Sequence, residues 1–331
     1  MSLYRVRDTN FRSKFMKKTL LLVICTIFLT ACYPKAEDIR VLSKDPSYSA
    51  SLSSDGTLAI VATQNQGVQC WDLTQHSLKY QWVHGDLNTG VASTAISPNG
   101  EFAASLSRDS VALWTIADGK SVGWWSLPAS GESVAVANNG VLLIGLNDGS
   151  VMSLNAAKTA LIKFLGHKER VNTVALSADG RIALTGSNDM QAILWQAQTG
   201  QPIHTWDLGS RVTKVALNDS GSLSFTNGST NDAKIWDNST GKLLNQLAIN
   251  RRQMTFSAVR FTEQDKQLLT GTPAREVILW QRSSGKPIAQ WQIALTKNSQ
   301  NRGAVVYSVA IRDTNKVVSI SSQGLVETWQ Q

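Results

Sequence analysis

The chain of 331 residues carries 32 Lys and Arg against 24 Asp and Glu, a formal charge of +8, yet its first 31 residues hold six of the bases and one of the acids. The remaining 26 bases and 23 acids leave a net charge of +3, too small to point to a nucleic-acid partner. Three cysteines, Cys25, Cys32 and Cys70, are too few for a disulfide framework.

Met1 to Phe15, with Arg5, Arg7, Arg12 and Lys14, reads either as an N-terminal extension or as sequence ahead of a start at Met16. Lys17-Lys18 then leads into Thr19 to Ala31, thirteen largely apolar residues. This is the charged n-region and short h-region of a secretory signal, and it falls short of the roughly 20 residues a spanning helix needs.

The segment closes on Leu29-Thr30-Ala31-Cys32, which resembles a bacterial lipobox. That resemblance implies cleavage before Cys32 by signal peptidase II and a diacylglycerol on the Cys32 thiol, with small Ala31 admitting the peptidase. Asp after the cysteine would retain a Gram-negative lipoprotein in the inner membrane; Tyr33 stands there instead, which implies the outer membrane. The expected organisation is a signal peptide over 1–31, a lipidated tether over 32–38 and a folded domain over 39–331, facing the periplasm and touching the membrane only through its lipid.

From Ile39 onward the chain repeats itself. Short β-rich runs separated by Gly, Asp and Asn turns reach a fixed point at positions 71, 114, 154, 195, 236, 280 and 329, and six of the seven are Trp. The spacings are 43, 40, 41, 41, 44 and 49 residues, and no long 3.6-residue period intervenes. A period of about 40–45 residues predicts an all-β propeller of four-stranded blades, here seven. The closing positions lie on the third strand, c, of each blade.

The cleanest copy runs Leu165-Gly166-His167, Val171 to Leu176, Ser177-Ala178-Asp179-Gly180, Ile182 to Ser187, Asp189, then Ala192 to Trp195. It resembles a WD40 repeat in its Gly-His, its turn Asp and its strand-c Trp. The family's Trp-Asp survives only as Trp71-Asp72 and Trp236-Asp237. The resemblance implies a hydrogen-bonded tetrad of His167, Asp189 and Trp195 with Thr185 or Ser187 as fourth member, and only partial tetrads elsewhere. Blade three has Leu154 in place of Trp. Blades six and seven have Ala274 and Gln323 near the turn Asp position, so their loops are expected to differ.

After Trp329 the chain has no room for a fourth strand in blade seven, so Ile39 to Ser43 is predicted to supply it and close the ring. Cys70 sits one residue before Trp71, where other blades carry Leu113, Ile235 and Leu279, and is expected to act as a buried hydrophobe. On strand d, Trp82, Trp206 and Trp291 should pack against a neighbouring blade; Trp124 and Trp125 alternate on one pleated strand, so one of them should be exposed.

Catalytic chemistry is scarce. His76, His84, His167 and His204 show no metal-ligand spacing, and no nucleophile elbow, phosphate loop or dinucleotide fingerprint occurs. Asp55, Asp179 and Asp219 sit in turns, where backbone capping is their ordinary work. No catalytic residue, metal or cofactor is predicted.

In WD40 propellers the d–a connections and b–c turns form the face that usually grips partners. Here the d–a connections hold Lys168, Arg170, Arg211, Arg251, Arg252, Lys297 and Arg302, and the b–c turns add Arg108 and Arg275. The sequence therefore predicts a basic rim, diluted by Asp86, Glu132, Glu169 and Glu276 and suited to an acidic protein or peptide. The expected role is a non-catalytic interaction scaffold; an envelope enzyme or a small-ligand sensor using the channel are the competing classes. In architecture the protein is similar to the lipoprotein propeller subunit of the outer-membrane β-barrel assembly machinery, a family with eight blades and a different repeat.

Overall fold

The β-rich runs pair in sequence order as antiparallel hairpins, and seven four-stranded sheets result. The structure is a computed structural model that describes residues 33–86, 89–155, 160–262, 264–296 and 303–331. Cys32 and the predicted signal, and also Lys297 and Arg302, lie outside the described residues. Lys35 to Gln331 forms one compact unit. Blades one to six occupy 47–82, 93–126, 131–164, 171–207, 212–246 and 258–292, each ordered a-b-c-d from the channel outward.

Blade seven takes three strands from 306–330 and its fourth from Asp38–Val41, which pairs antiparallel to Leu325–Gln330 with Asp38 opposite Thr328 and Val41 opposite Leu325. Glu37 and Leu42 add backbone bonds to Thr328 and Gly324. The strand begins one residue before the predicted Ile39 and ends before Ser43. Pairing at this edge satisfies backbone groups that a three-stranded blade would leave open.

The a–b turns follow from two residues. Gly56, Gly100, Gly140, Gly180 and Gly221 adopt φ of +66 to +76°, a region costly for residues with a Cβ. In three of these turns a buried serine closes the loop, Ser53 accepting from Leu58 N–H at 2.9 Å, Ser97 from Phe102 at 2.9 Å and Ser177 from Ile182 at 3.0 Å. Asn218 does the same for Leu223.

The b–c turns correct one expectation. Met190 in blade four, Arg275 in blade six and Gly324 in blade seven, each five residues before its Trp, have φ of 70°, 70° and 68°. The loops of blades six and seven thus keep the left-handed residue without the turn Asp; in blade six the Thr272 hydroxyl accepts the N–H of both Ala274 and Glu276.

The core lies between blades. A strand-d aromatic of one blade stacks on the strand-c Trp of the next: Trp82 on Trp114 at 5.2 Å, Phe164 on Trp195 at 4.6 Å and Trp206 on Trp236 at 4.9 Å. Trp82 and Trp206 also donate their indole N–H to Gly119 and Gly241 carbonyls in the next blade's c–d turn. Where Leu154 replaces Trp, Trp125 packs over its cluster. Blades approach closely enough that a Cβ on Gly186 would lie 2.4 Å from Val212. Cys70 is fully buried, and burial pushes its thiol up to about 11.

Candidate functional site

Strand b and the b–c turn of blade four place their polar side chains against the loop that enters the blade. His167 Nδ1 lies 3.0 and 3.2 Å from the Asp189 carboxylate, and Nε2 lies 2.7 Å from Thr185 Oγ1. With the Nδ1 proton donated to Asp189, Nε2 accepts from the Thr185 hydroxyl. Asp189 also accepts the N–H groups of Lys168 and Gln191, both at 3.0 Å. Burial pulls His167 below its ordinary pKa although Asp189 opposes it.

Thr185 is thus the partner of His167, while Ser187 bonds the Glu169 carbonyl and Asp189 N–H. Trp195 departs from the expected tetrad: it is fully buried, but its indole N–H has no hydrogen-bond partner. The ring is held by stacking on Phe164 rather than by the network.

Blade two holds a longer network that sequence reasoning missed. Trp114 Nε1 donates to Ser105 Oγ at 3.0 Å, His84 Nδ1 lies 2.8 Å from the same oxygen, His84 Nε2 lies 3.1 Å from Ser110 Oγ, and Ser110 donates to Asp109 at 3.0 Å. Burial drives His84 down to about 4, against the pull of Asp109. The signal was present but shifted. Ser105 and Asp109 stand nine and five residues before Trp114, whereas Thr185 and Asp189 stand ten and six before Trp195, because this b–c turn is one residue shorter. Trp124, half-exposed at 42%, covers the His84 ring at a centroid distance of 4.3 Å; it is the outward member of the Trp124-Trp125 pair.

Lys168, Arg170, Arg211, Arg251 and Arg252 stand in d–a connections, with Arg108 and Arg275 in b–c turns, so blade geometry brings them to one end of the ring. Two of the diluting acids, Glu132 and Glu276, engage cations of this rim. Arg170 pairs with Glu132 of the preceding blade and Arg251 with buried Glu276. Arg275 directs two guanidinium N–H groups to the Ile293 carbonyl at 3.1 and 2.6 Å. Arg108, Lys168, Arg211 and Arg252 remain as exposed cations.

The central channel has a volume of about 1150 Å³. Its wall is mostly Ser, Thr, Ala and Val, with Lys214 and Arg260 as cations, Asp219 and Asp265 as carboxylates, and no histidine among the described residues. Asp219 belongs to the a–b turn of blade five and Asp265 to that of blade six.

Residues 158–196, which run from strand d of blade three through strand c of blade four, match the family model of the WD domain, G-beta repeat. That stretch is thus similar to a WD40 repeat. A chain in the crystal structure of a mitotic checkpoint complex is similar over 100% of this chain and 97% of its own length, with a TM-score of 0.72 at 17% identity. That likeness is one of fold: the ring is a seven-bladed β-propeller. No curated protein matches the sequence. Solved chains that match number 1894, so the fold alone selects no particular function.

Proposed function

We propose that this protein is an outer-membrane lipoprotein whose propeller presents its d–a and b–c face, in the periplasm, as a non-catalytic platform for a protein or peptide. WD40 propellers serve in general as protein-interaction scaffolds. The observation that carries the reading is the set of exposed cations, Arg108, Lys168, Arg211 and Arg252, which four different connections bring to one end of a rigid ring. Guanidinium groups favour carboxylates, so the partner class is an acidic protein or peptide. The address rests on Leu29-Thr30-Ala31-Cys32 and Tyr33.

Reversing Lys168, Arg211 and Arg252 to Glu should leave the melting temperature within a few degrees, because exposed charges contribute little to folding, while weakening partner recovery in envelope crosslinking. The control is Lys242 and Lys286 reversed together in the c–d turns of the opposite end. Equal recovery from both variants removes the rim from the reading. Separately, Cys32→Ser should abolish labelling by palmitate; retained label removes the anchor.

A further inference from the structure

At the d–a end of the channel, neighbouring first strands are laced by hydroxyls. Ser49 accepts the N–H of Thr94 at 3.0 Å, Ser93 that of Val134 at 3.4 Å, Ser133 that of Val174 at 3.2 Å and Thr173 that of Val215 at 3.3 Å. Across the ring closure Ser308 accepts the N–H of Leu52 at 3.1 Å. Ser49, Ser133, Thr173 and Ser308 each follow the register shift near the start of strand a. In blade five the residue at that place is Lys214, opposite Asn227.

An ammonium has three donors and no acceptor, so Lys214 cannot cap a backbone N–H as the hydroxyls do. It lines the channel, and among the described residues no side-chain hydrogen bond or ion pair holds it. Burial pulls it below the ordinary lysine value. The carboxylates of the wall are remote: Asp219 lies five residues farther along the chain, about 16 Å at strand rise, and Asp265 accepts from Asn218 at the same mouth. Arg260, the other cation, is engaged with the Val309 and Leu52 carbonyls and the Ser54 hydroxyl at 2.9, 2.9 and 2.7 Å.

A hydroxyl that accepts an N–H keeps its own proton to donate. Ser93, Ser133 and Ser308 line the channel and direct that proton to no acceptor among the described residues. The d–a end of the channel is therefore lined, from the strands a of blades five, two, three and seven, by an unpaired ammonium and three O–H donors, with the wall carboxylates at the far mouth. We propose that this end of the channel binds the oxyanion of a small molecule, a phosphate or a carboxylate, through Lys214 with the channel hydroxyls of Ser93, Ser133 and Ser308. The site is independent of the partner-binding rim.

The test is calorimetric titration of the full chain with inorganic phosphate and, in a separate arm, with succinate; the arm that binds identifies the oxyanion. One saturable site is expected in the unaltered protein. Lys214→Ser installs the residue type of the other blades, so it should fold with an unchanged or higher melting temperature while losing affinity by about tenfold or more. Lys214→Arg should retain binding within a few-fold. Absence of saturable binding in both arms overturns the proposal, as does equal affinity in Lys214→Ser. A Lys214→Ser protein melting several degrees lower also overturns it, by making the lysine a structural strut. The readout needs no partner protein, so its failure leaves the platform reading standing.

Discussion

Blades two and four bury a strand-c tryptophan behind a histidine, but they connect the two differently. Blade four has the recognisable Gly-His and turn Asp, yet its network ends at Thr185 and leaves the Trp195 N–H unpaired. Blade two, with Val83-His84-Gly85 and a shorter turn, connects Trp114 through Ser105 and His84 to Asp109. Blade seven is a third case, in which Ser319, Ser321 and Trp329 have buried polar atoms without partners. The contrast teaches that stacking alone can seat the tryptophan; the polar network sets how the entering loop is held.

The largest expected effect tests the packing half of that claim. Trp195→Ala should cost about 3–5 kcal/mol, since it empties a fully buried ring site and removes the Phe164 stack. A loss below about 1 kcal/mol in chemical denaturation would mean that this ring is not an inter-blade rivet.

Acid separates the histidines next. His84 has a folded pKa of about 4 against an ordinary value of 6.5, so the unfolded chain binds the proton more readily. Its contribution to stability is therefore present above about pH 6.5 and is lost as pH falls through about 4. The melting temperature should decline across that window, and His84→Gln should flatten part of the decline. His167, lowered by burial against a direct Asp189 partner, shares the direction; an undiminished decline in His84→Gln would reassign the acid sensitivity to blade four.

Replacing indole by phenyl isolates the hydrogen bond. Trp114→Phe should cost more than Trp195→Phe, by about 1 kcal/mol, because the former breaks a bond to Ser105 and the latter removes a donor that has no acceptor. Equal losses would show the two networks to be energetically alike.

The smallest effect belongs to blade seven. Buried Glu327 accepts the Ala294 N–H, and burial raises its carboxyl to about 7, opposed by that N–H and by Arg275. The folded state here binds the proton more readily, so stability present below about pH 4.5 is lost as pH rises through about 7. Glu327→Gln keeps an acceptor without the charge and should gain melting temperature relative to the unaltered protein, by a degree or two, between pH 5 and 8. A gain that is constant with pH would assign the effect to packing.

Much of the ring was legible in the sequence because strand chemistry is local. Alternating β-rich runs, Gly at the a–b turns and a closing Trp, or in blade three Leu154, every 40 to 49 residues specify blades wherever they occur, and an unpaired edge strand leaves the N-terminal segment as the available fourth partner. Phe164 as a stacking partner, and the tetrad in blade two, were hidden by a one-residue change in turn length and by aromatic identity outside the motif. The pairing of Arg170 with Glu132 and of Arg251 with Glu276, and the isolation of Lys214 among hydroxyls, were decided only in three dimensions. Repeat spacing follows from backbone periodicity within one blade, whereas the fate of a charge depends on which side chain the next blade brings within reach.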